Sequence, residues 1–420
     1  MSKSFAFVDL FCGIGAFHQA LSNIGGKCAY ACDIDAYCRR TYERNYGIVP
    51  DGDITKVDVK DIPPHDVLCG GFPCQAFSIA GNKQGFADPT RGTLFFDILR
   101  IIEYHKPKYV LLENVHNLVY HDHGNTWRVI HDSLIRAGYN VPDQPVIFSP
   151  HYIGIPQHRK RIFIMCVRKD LGTLPQFCFN LENIPPCSID DILLDDAEIE
   201  DIESYRLTPE QIEWIDNWNE FIQAMAYDKL PSHPIWTDSF CPVSENFRTI
   251  ENKLSSAYVR LMMHKNSALW EKNKEFIARW LPKAQKNKLF YGSKAKFEWQ
   301  AGDCDNPNVW DNIMQIRQSG LRVRPATYFP ALVAITQTSI VGKRKRFLTP
   351  RECARLQSFP DTFQYDEKQS QAYKQLGNSI NVALAELFAR YLLGDEEVRR
   401  KYSYTEQFEK NDYNLFNTNH

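Results

Sequence analysis

The 420-residue chain has no long apolar run: none approaches the roughly 18 residues of a membrane span. Its amino terminus, MSKSFAFVDLF, passes straight into a strand-like pattern without the blocks of a secretory leader. Internal repeats are absent, which sets aside solenoids and propellers. Excess charge is lacking too. The 49 Lys and Arg against 51 Asp and Glu leave a net charge of -2, so the protein is not basic all over. The 12 cysteines are scattered. Cys28, Cys32 and Cys38 come nearest to metal-ligand spacing, but no second Cys or His pair follows to complete a zinc site. Free thiols in a reducing cytoplasm are the simpler reading.

What is present is a globular chain. Hydrophobic residues make up 44%, enough for a sizeable core, and the length allows two or three domains. Charge is segregated along it. Residues 181–250 carry 16 Asp and Glu against 3 Lys and Arg, whereas residues 251–346 carry 18 Lys and Arg against 7 Asp and Glu. Such asymmetry suits a face that binds a polyanion, and equally two solvated surfaces that neutralise each other.

The first 170 residues alternate between strand and helix patterns. FAFVDLF (5–11) reads as a strand. Phe17, Ala20, Leu21 and Ile24 follow at helical spacing before Gly25-Gly26. KCAYACD, DVLCGGF, KPKYVLLENV and RIFIMCVR read as further strands. The segment through Tyr46, GTLFFDILRIIEYH and TWRVIHDSLIRAG read as helices. This rhythm predicts an α/β fold, a doubly wound and mostly parallel sheet with helices on both faces. It is lost after about Leu171. Residues 171–345 read as irregular, too long for a loop in a compact domain and hence a second domain. Helical patterns return in TPRECARLQSF and NVALAELFARYLLG. The expected division is 1–180 completed by 372–400, a smaller domain over 181–371, and a polar tail over 401–420.

The most informative stretch is GGFPCQAFSIAG, from Gly70 to Gly81. Cys74 follows a proline just beyond a short apolar strand, so its thiol stands where α/β sheets bind ligands. Pro73 fixes a backbone angle and helps to aim it. A cysteine alone usually just fills core, so the motifs around it matter. DLFCGIGAF (9–17) ends a strand and opens a helix through Gly13 and Gly15, leaving bare backbone for a nucleotide-like ligand. Asp33, twenty residues after Gly13, is placed to accept from ribose hydroxyls. Asp53, in GDI near the end of a third strand, could take an exocyclic amine. His18 stands where a dinucleotide fingerprint has its last glycine, which argues against a nicotinamide cofactor. Glu113, in ENV (113–115), ends an apolar strand. Partial desolvation there should raise its pKa and suit it to share a proton near neutral pH. A helix N-terminal acid is the plainer alternative. In PQHRKRIF, Gln157, Arg159 and Arg161 fall on one face at period-two spacing. The two arginines offer planar donor forks to carbonyl or phosphate oxygens. QLGNSIN (375–381) reads as a Gly-Asn-Ser turn leading into a helix.

Taken in order, FVDLFCGIGAF, GDI, GGFPCQAFSIAG, ENV, QHRKR, TPRECARLQSFPD and QLGNSI resemble the DNA (cytosine-5)-methyltransferase family of the bacterial restriction–modification type. The likeness covers the first 170 residues and about 50 near the carboxyl terminus. The stretch 181–345 matches no motif and corresponds to the family's variable target-recognition region. The resemblance implies a Rossmann-like fold that uses S-adenosylmethionine, releases S-adenosylhomocysteine and needs no metal. It implies Cys74 as the thiolate that adds to C6 of cytosine, its ionisation helped by Arg159 and the cationic cofactor. Glu113 would hold N3 and the amino group, and Arg161 would hold O2. Phe72, Pro73, Asn114 and Gln157 are implied around the base. Cofactor contacts carry over as Phe11, Gly13, Ile14 and Gly15, then Asp33 and Ile34, Asp53 and Ile54, Pro73, Leu94, and Asn378 with Ser379.

The base must be flipped out of double-stranded DNA to reach such a pocket. The two-domain layout suits DNA lying in the cleft between the domains. In the family a Thr-Leu or Thr-Val pair often braces the flipped nucleotide. The nearest match here is Ala331-Leu332, with Thr336 or Thr338 as substitutes. The family's RNA-specific branch carries Cys-Phe-Thr where this chain has Cys178-Phe179-Asn180, which disfavours tRNA. Arg317, Arg322, Arg324 and the run Lys343–Arg346 are candidates to meet DNA. With no long regulatory extension, the chain reads as a stand-alone monomer in the bacterial cytoplasm, nucleoid-associated and off the membrane. Its expected role is to protect host DNA from a cognate restriction endonuclease.

Overall fold

The computed structural model describes residues 4–73, 94–225, 230–241, 256–334 and 338–403. The chain packs as two compact units. One is Met1–Ser188 with Pro330–Thr336 and Pro350–His420; the other is Ile189–Phe329 with Gln337–Thr349. Residues 350–371, grouped with the smaller domain on sequence grounds, pack in the first unit. Helix Pro350–Leu356 buries Cys353, Ala354 and Leu356 there, and Gln357 donates to the carbonyls of Leu376 and Ser379.

The expected alternation is present in the first unit. Its strands are β1 (Phe5–Leu10), β2 (Gly26–Cys32), β3 (Val67–Gly71), β4 (Tyr109–Val115), β5 (Tyr139–Asn140), β6 (Val146–Phe148), the separate β7 (Gln157–His158) and β8 (Arg161–Arg168). Helices α1 (Ala16–Asn23), α2 (Ala36–Tyr46), α3 (Leu94–His105) and α4 (Asn125–Arg136) intervene. The seven-stranded sheet has the order β2-β1-β3-β4-β8-β5, with β6 also on β8. β1 pairs in parallel with β2 and β3, and β3 with β4. β8 runs antiparallel to β4, β5 and β6, so it alone is reversed and the sheet is mostly parallel.

Side chains alternate across a strand, so both faces must be covered. On β8, Ile162, Ile164 and Cys166 join a core with Phe95, Ile98 and Ile101 of α3 and Trp127, Ile130 and Leu134 of α4. The intervening Phe163 points the other way and stacks on Phe388 of helix Val382–Leu393, with ring centres 4.1 Å apart.

The second unit is more regular than its sequence suggests. Helices Pro209–Ala224, Ala257–Lys272 and Lys274–Ala284 accompany a six-stranded sheet. Strands Lys296–Trp299, Ile313–Arg317 and Gly320–Arg324 lie within it. The core is aromatic: Trp214, Trp218 and Trp280 are fully buried, and Trp218 stacks 5.1 Å from Phe297. Strands this short show little alternation, which is why the stretch reads as irregular.

Candidate active site

The carboxyl ends of β1, β3 and β4 open on one cavity of about 470 Å³ within the first unit, the size of a small-molecule site. After β1, Phe11 and Gly13 turn the chain with φ of 54° and 52°. Gly15 is required as glycine, because a Cβ there would lie 2.1 Å from the Tyr46 ring. Asp33 holds the turn from the next strand's end. Its carboxylate accepts from the Gly13 N–H at 2.8 Å and from the Asp35 N–H at 2.8 Å. Burial raises its pKa and these N–H groups oppose the rise. Each oxygen keeps a lone pair for a hydroxyl donor. Beside it Ile34 is 74% exposed although it lines the cavity, an apolar wall ready to take a flat ring.

Phe11, Gly13, Ile14, Asp53, Ile54, Pro73, Leu94, Asn378 and Ser379 also line the cavity, as expected from the sequence. Gly15 does not line it and serves the turn instead. His18, in place of the missing glycine, is buried. Its Nδ1 lies 2.7 Å from the Tyr42 hydroxyl, and its ring stacks 3.9 Å from that of Tyr46. Burial pulls its pKa down to about 4. The third strand expected before Asp53 is only a lone bridge between Cys32 and Asp51. Asp53 instead caps a single turn, Ile54–Lys56. It accepts from both the N–H and the hydroxyl of Thr55, which hold its carboxyl below the usual range.

The polar cluster follows from sheet register. Glu113 on β4 faces Phe163 on β8, and Arg161 lies two residues away on the same face. Such diagonal neighbours are within reach of long side chains. The Arg161 Nε lies 3.0 Å from the Glu113 Oε1. Glu113 is buried, and desolvation raises its pKa, while Arg161 and then Arg159 pull it back. Gly71 sits opposite Glu113 on β3. A Cβ there would come 2.9 Å from Ile380 Cδ1 and 3.5 Å from Glu113 Oε2, so glycine keeps this end of the cavity open.

Arg159 also lines the cavity, and it is held by the surrounding backbone. It is 3% exposed, and its terminal nitrogens donate to the carbonyls of Leu332, Gly377 and Ser379, each at 2.9 Å. Its terminal nitrogens are engaged by this chain's own backbone, and its buried Nε has no acceptor among the described residues. Asn114 is likewise engaged: its amide donates to the Phe72 carbonyl at 2.8 Å and accepts from the Val115 N–H. This bond ties the loop after β3 to the end of β4. Phe72 is buried beside it. Gln157 is fully buried, with neither amide atom partnered among the described residues, and it does not line the cavity. Cys74 lies outside the described residues; Pro73, at the cavity wall, is the last one before it.

Comparison with known proteins decides the family. The chain matches the C-5 cytosine-specific DNA methylases over residues 5–393. It belongs to that family. It is 35% identical to the type II methyltransferase M.AluI of Cellulosimicrobium cellulans, over 95% of this chain and 94% of that one. It is 32% identical to M.HhaI of Haemophilus parahaemolyticus, over 91% and 92% respectively. A mutant of DNMT2 from Spodoptera frugiperda shares the fold, with a TM-score of 0.51 and 18% identity over 92% of this chain and 99% of that one. The protein is therefore a DNA methylase acting on C5 of cytosine, and its family uses S-adenosylmethionine as methyl donor. The cavity suits such a donor: a bare turn, a carboxylate beside that turn, an exposed apolar wall, and a buried amide donor with no acceptor among the described residues.

That donor is Gln375, missed in the sequence. It lines the cavity at 2% exposure, accepts from the Thr41 hydroxyl through Oε1, and has no partner for Nε2 among the described residues. Nothing in QLGNSIN distinguishes it from a core glutamine. The Gly-Asn-Ser turn also sits differently. Gly377 and Asn378 end helix Gln369–Asn378, and Asn381 caps the next helix by accepting from the Leu384 N–H. The basic run 343–346 is partly structural. Arg346 is fully buried and, with Arg344, pairs with Asp196. Leu332 offers its carbonyl to Arg159, while Thr336 lies outside the described residues.

Proposed function

We propose that Cys74 attacks C6 of a cytosine flipped out of duplex DNA, with Glu113 and Arg161 holding the base. C5 of cytosine is a poor nucleophile because the ring is aromatic. A thiolate at C6 breaks that conjugation, and the electron pair moves to C5. S-adenosylmethionine, when bound, supplies the methyl group as a sulfonium electrophile. The C5 proton then leaves to water, the C6–S bond breaks, and the thiolate departs. Glu113, with its raised pKa, shares a proton with N3 and accepts from the amino group as charge grows on the ring. Arg161, held by Glu113, donates to O2. Arg159 acts at one remove: its three carbonyl bonds tie segments 332 and 377–379 around the site, and its charge favours the thiolate.

The observation that carries this reading is the pair of buried Glu113 and half-buried Arg161 on the wall of the cavity that also holds Pro73. On the cofactor side, Asp33 takes the ribose, Ile34 covers the adenine, and Gln375 donates a hydrogen bond with Asn378 and Ser379. We assign no metal to the step. The type II names of its relatives support a role as the modification enzyme that guards host DNA against a cognate endonuclease, and we propose that it acts as a monomer in the cytoplasm.

The test is incubation with S-adenosylmethionine labelled on the methyl group. Label should appear in duplex DNA at C5 of cytosine and not in tRNA. Cys74→Ser should abolish transfer yet bind the cofactor as the unmodified enzyme does. Turnover retained by Cys74→Ser removes the thiol from its role.

A further inference from the structure

Beyond the methyl-transfer pocket, the second unit carries a face on which arginines outnumber carboxylates among the described residues. Strands Ile313–Arg317 and Gly320–Arg324 form an antiparallel hairpin, with Gln315 opposite Arg322, Ile313 opposite Arg324, and Arg317 opposite Gly320. Opposed residues share a face. One face carries Met314, Leu321 and Val323, which enter the aromatic core. The other carries Gln315, Arg317, Arg322 and Arg324, joined by Glu298 from the parallel strand beside Arg322.

The three arginines are treated differently. Arg322 pairs with Glu298 Oε2 at 2.5 Å, and the Gln300 amide donates to the same oxygen at 3.2 Å. Arg317 donates its Nε to Gln315 at 3.1 Å. Arg324 has no acceptor for its buried Nε among the described residues. Among the described residues Arg322 alone of the three has a carboxylate partner. All three are half-buried. Burial and their mutual repulsion push the pKa values of Arg317 and Arg324 down. Gathering like charges on a half-buried face costs stability unless something outside the chain supplies acceptors.

We infer that Arg324 reads a guanine in the target, donating its planar fork to N7 and O6 in the major groove, with Arg317 on the same face as a second reader. This rests on the reading of the chain as a duplex-DNA methyltransferase. The ligand chemistry follows from the donor set. A guanidinium presents parallel N–H groups that match the two acceptors of guanine, and no other base edge offers that pair. Arg322, neutralised by Glu298, positions the row. Lysines fit phosphate as point charges, but Lys343 and Lys345 lie in the turn beyond strand Ile340–Val341 and not on this face.

The test uses the full chain, S-adenosylmethionine and duplexes with randomised bases around the methylated cytosine. Methylated products are read by bisulfite sequencing. Arg324→Ala should lose discrimination at one position by about 10- to 100-fold and keep the others. Arg324→Lys should lose it equally while retaining the salt dependence of binding, since it keeps the charge without the fork. Placing 7-deazaguanine at that position removes N7. It should slow the unmodified enzyme by about tenfold and leave Arg324→Ala unaffected. A uniform loss on every sequence, with the slope of log affinity against log salt reduced by about one, would overturn the inference in favour of a phosphate contact. An unchanged sequence profile in Arg324→Ala overturns it as well. Absence of any label in DNA from the unmodified enzyme is a different failure, that of the functional reading beneath it.

Discussion

Arg159 and Arg324 are both guanidinium groups near strand ends, and the chain treats them in opposite ways. Arg159, in the first unit, places its terminal nitrogens on three backbone carbonyls and is withdrawn from solvent. Arg324, in the second, is half-buried among other arginines and has an unanswered Nε. The same contrast runs through the two units. Around the cavity, Asp33 is held by two N–H groups, Asn114 by the Phe72 loop, and Glu113 by Arg161. On the hairpin of the second unit, Arg317 and Arg324 have no carboxylate partner among the described residues, and the neighbouring Glu298 is paired with Arg322. In the proposed mechanism the groups around the cavity are organised in advance, which lowers the reorganisation needed during reaction. Groups that must accept a partner keep open valence until it arrives.

Substitutions can sharpen or break this contrast. The largest effect is expected at Glu113. Glu113→Gln keeps the shape but cannot share a proton in the same way, and kcat should fall about 10²- to 10⁴-fold. Cofactor affinity, by titration calorimetry, should stay close to that of the unmodified enzyme. An unchanged kcat would place Glu113 outside the chemistry.

Next comes stability. Arg159→Met strands three carbonyls and should cost about 3 kcal/mol or more in urea unfolding. Arg324→Met relieves repulsion and should stay within about 0.5 kcal/mol of the parent or exceed it. Equal losses at both would erase the distinction between the two units.

His18 gives a smaller, pH-dependent effect. Its folded pKa of about 4 lies below the ordinary 6.5, so the unfolded chain takes up the proton first as pH falls. Stability should therefore drop on going from pH 7 to pH 5, by about 1–2 kcal/mol from this group. His18→Phe should flatten that part of the profile. An unaltered profile would mean that His18 takes up its proton equally in the folded and unfolded chain.

The smallest effect concerns Gln375. Gln375→Leu should weaken cofactor binding about tenfold, the value of one hydrogen bond from a buried donor. Its melting temperature without cofactor should be little changed. Undiminished affinity would make Gln375 a core residue.

Much of the first unit is legible because its strands are apolar on both sides and its helices keep one apolar stripe, as in Val110, Leu111 and Leu112 of β4. The motif residues fall at strand ends for the same reason, and most line one cavity. What is not legible depends on contacts between distant segments. Asp53 looks like a strand-end acid but caps a turn. Arg159 looks like a ligand fork but binds Gly377 and Ser379, 218 and 220 residues away. In the second unit, Trp214, Trp218, Phe221 and Ile222 do recur at helical spacing, a signal obscured by the polar residues between them. The arginine row appears only once Gln315 and Arg322 are paired in register.

The account turns on a covalent bond between Cys74 and the pyrimidine. Duplex DNA carrying 5-fluorocytosine at the target tests it most directly, because fluorine cannot leave C5 as the proton does. With S-adenosylmethionine present, the enzyme should form a one-to-one adduct that survives denaturant, and peptide mass spectrometry should place the modified base on Cys74. Turnover without a trapped species, or a base attached to a different residue, would contradict it.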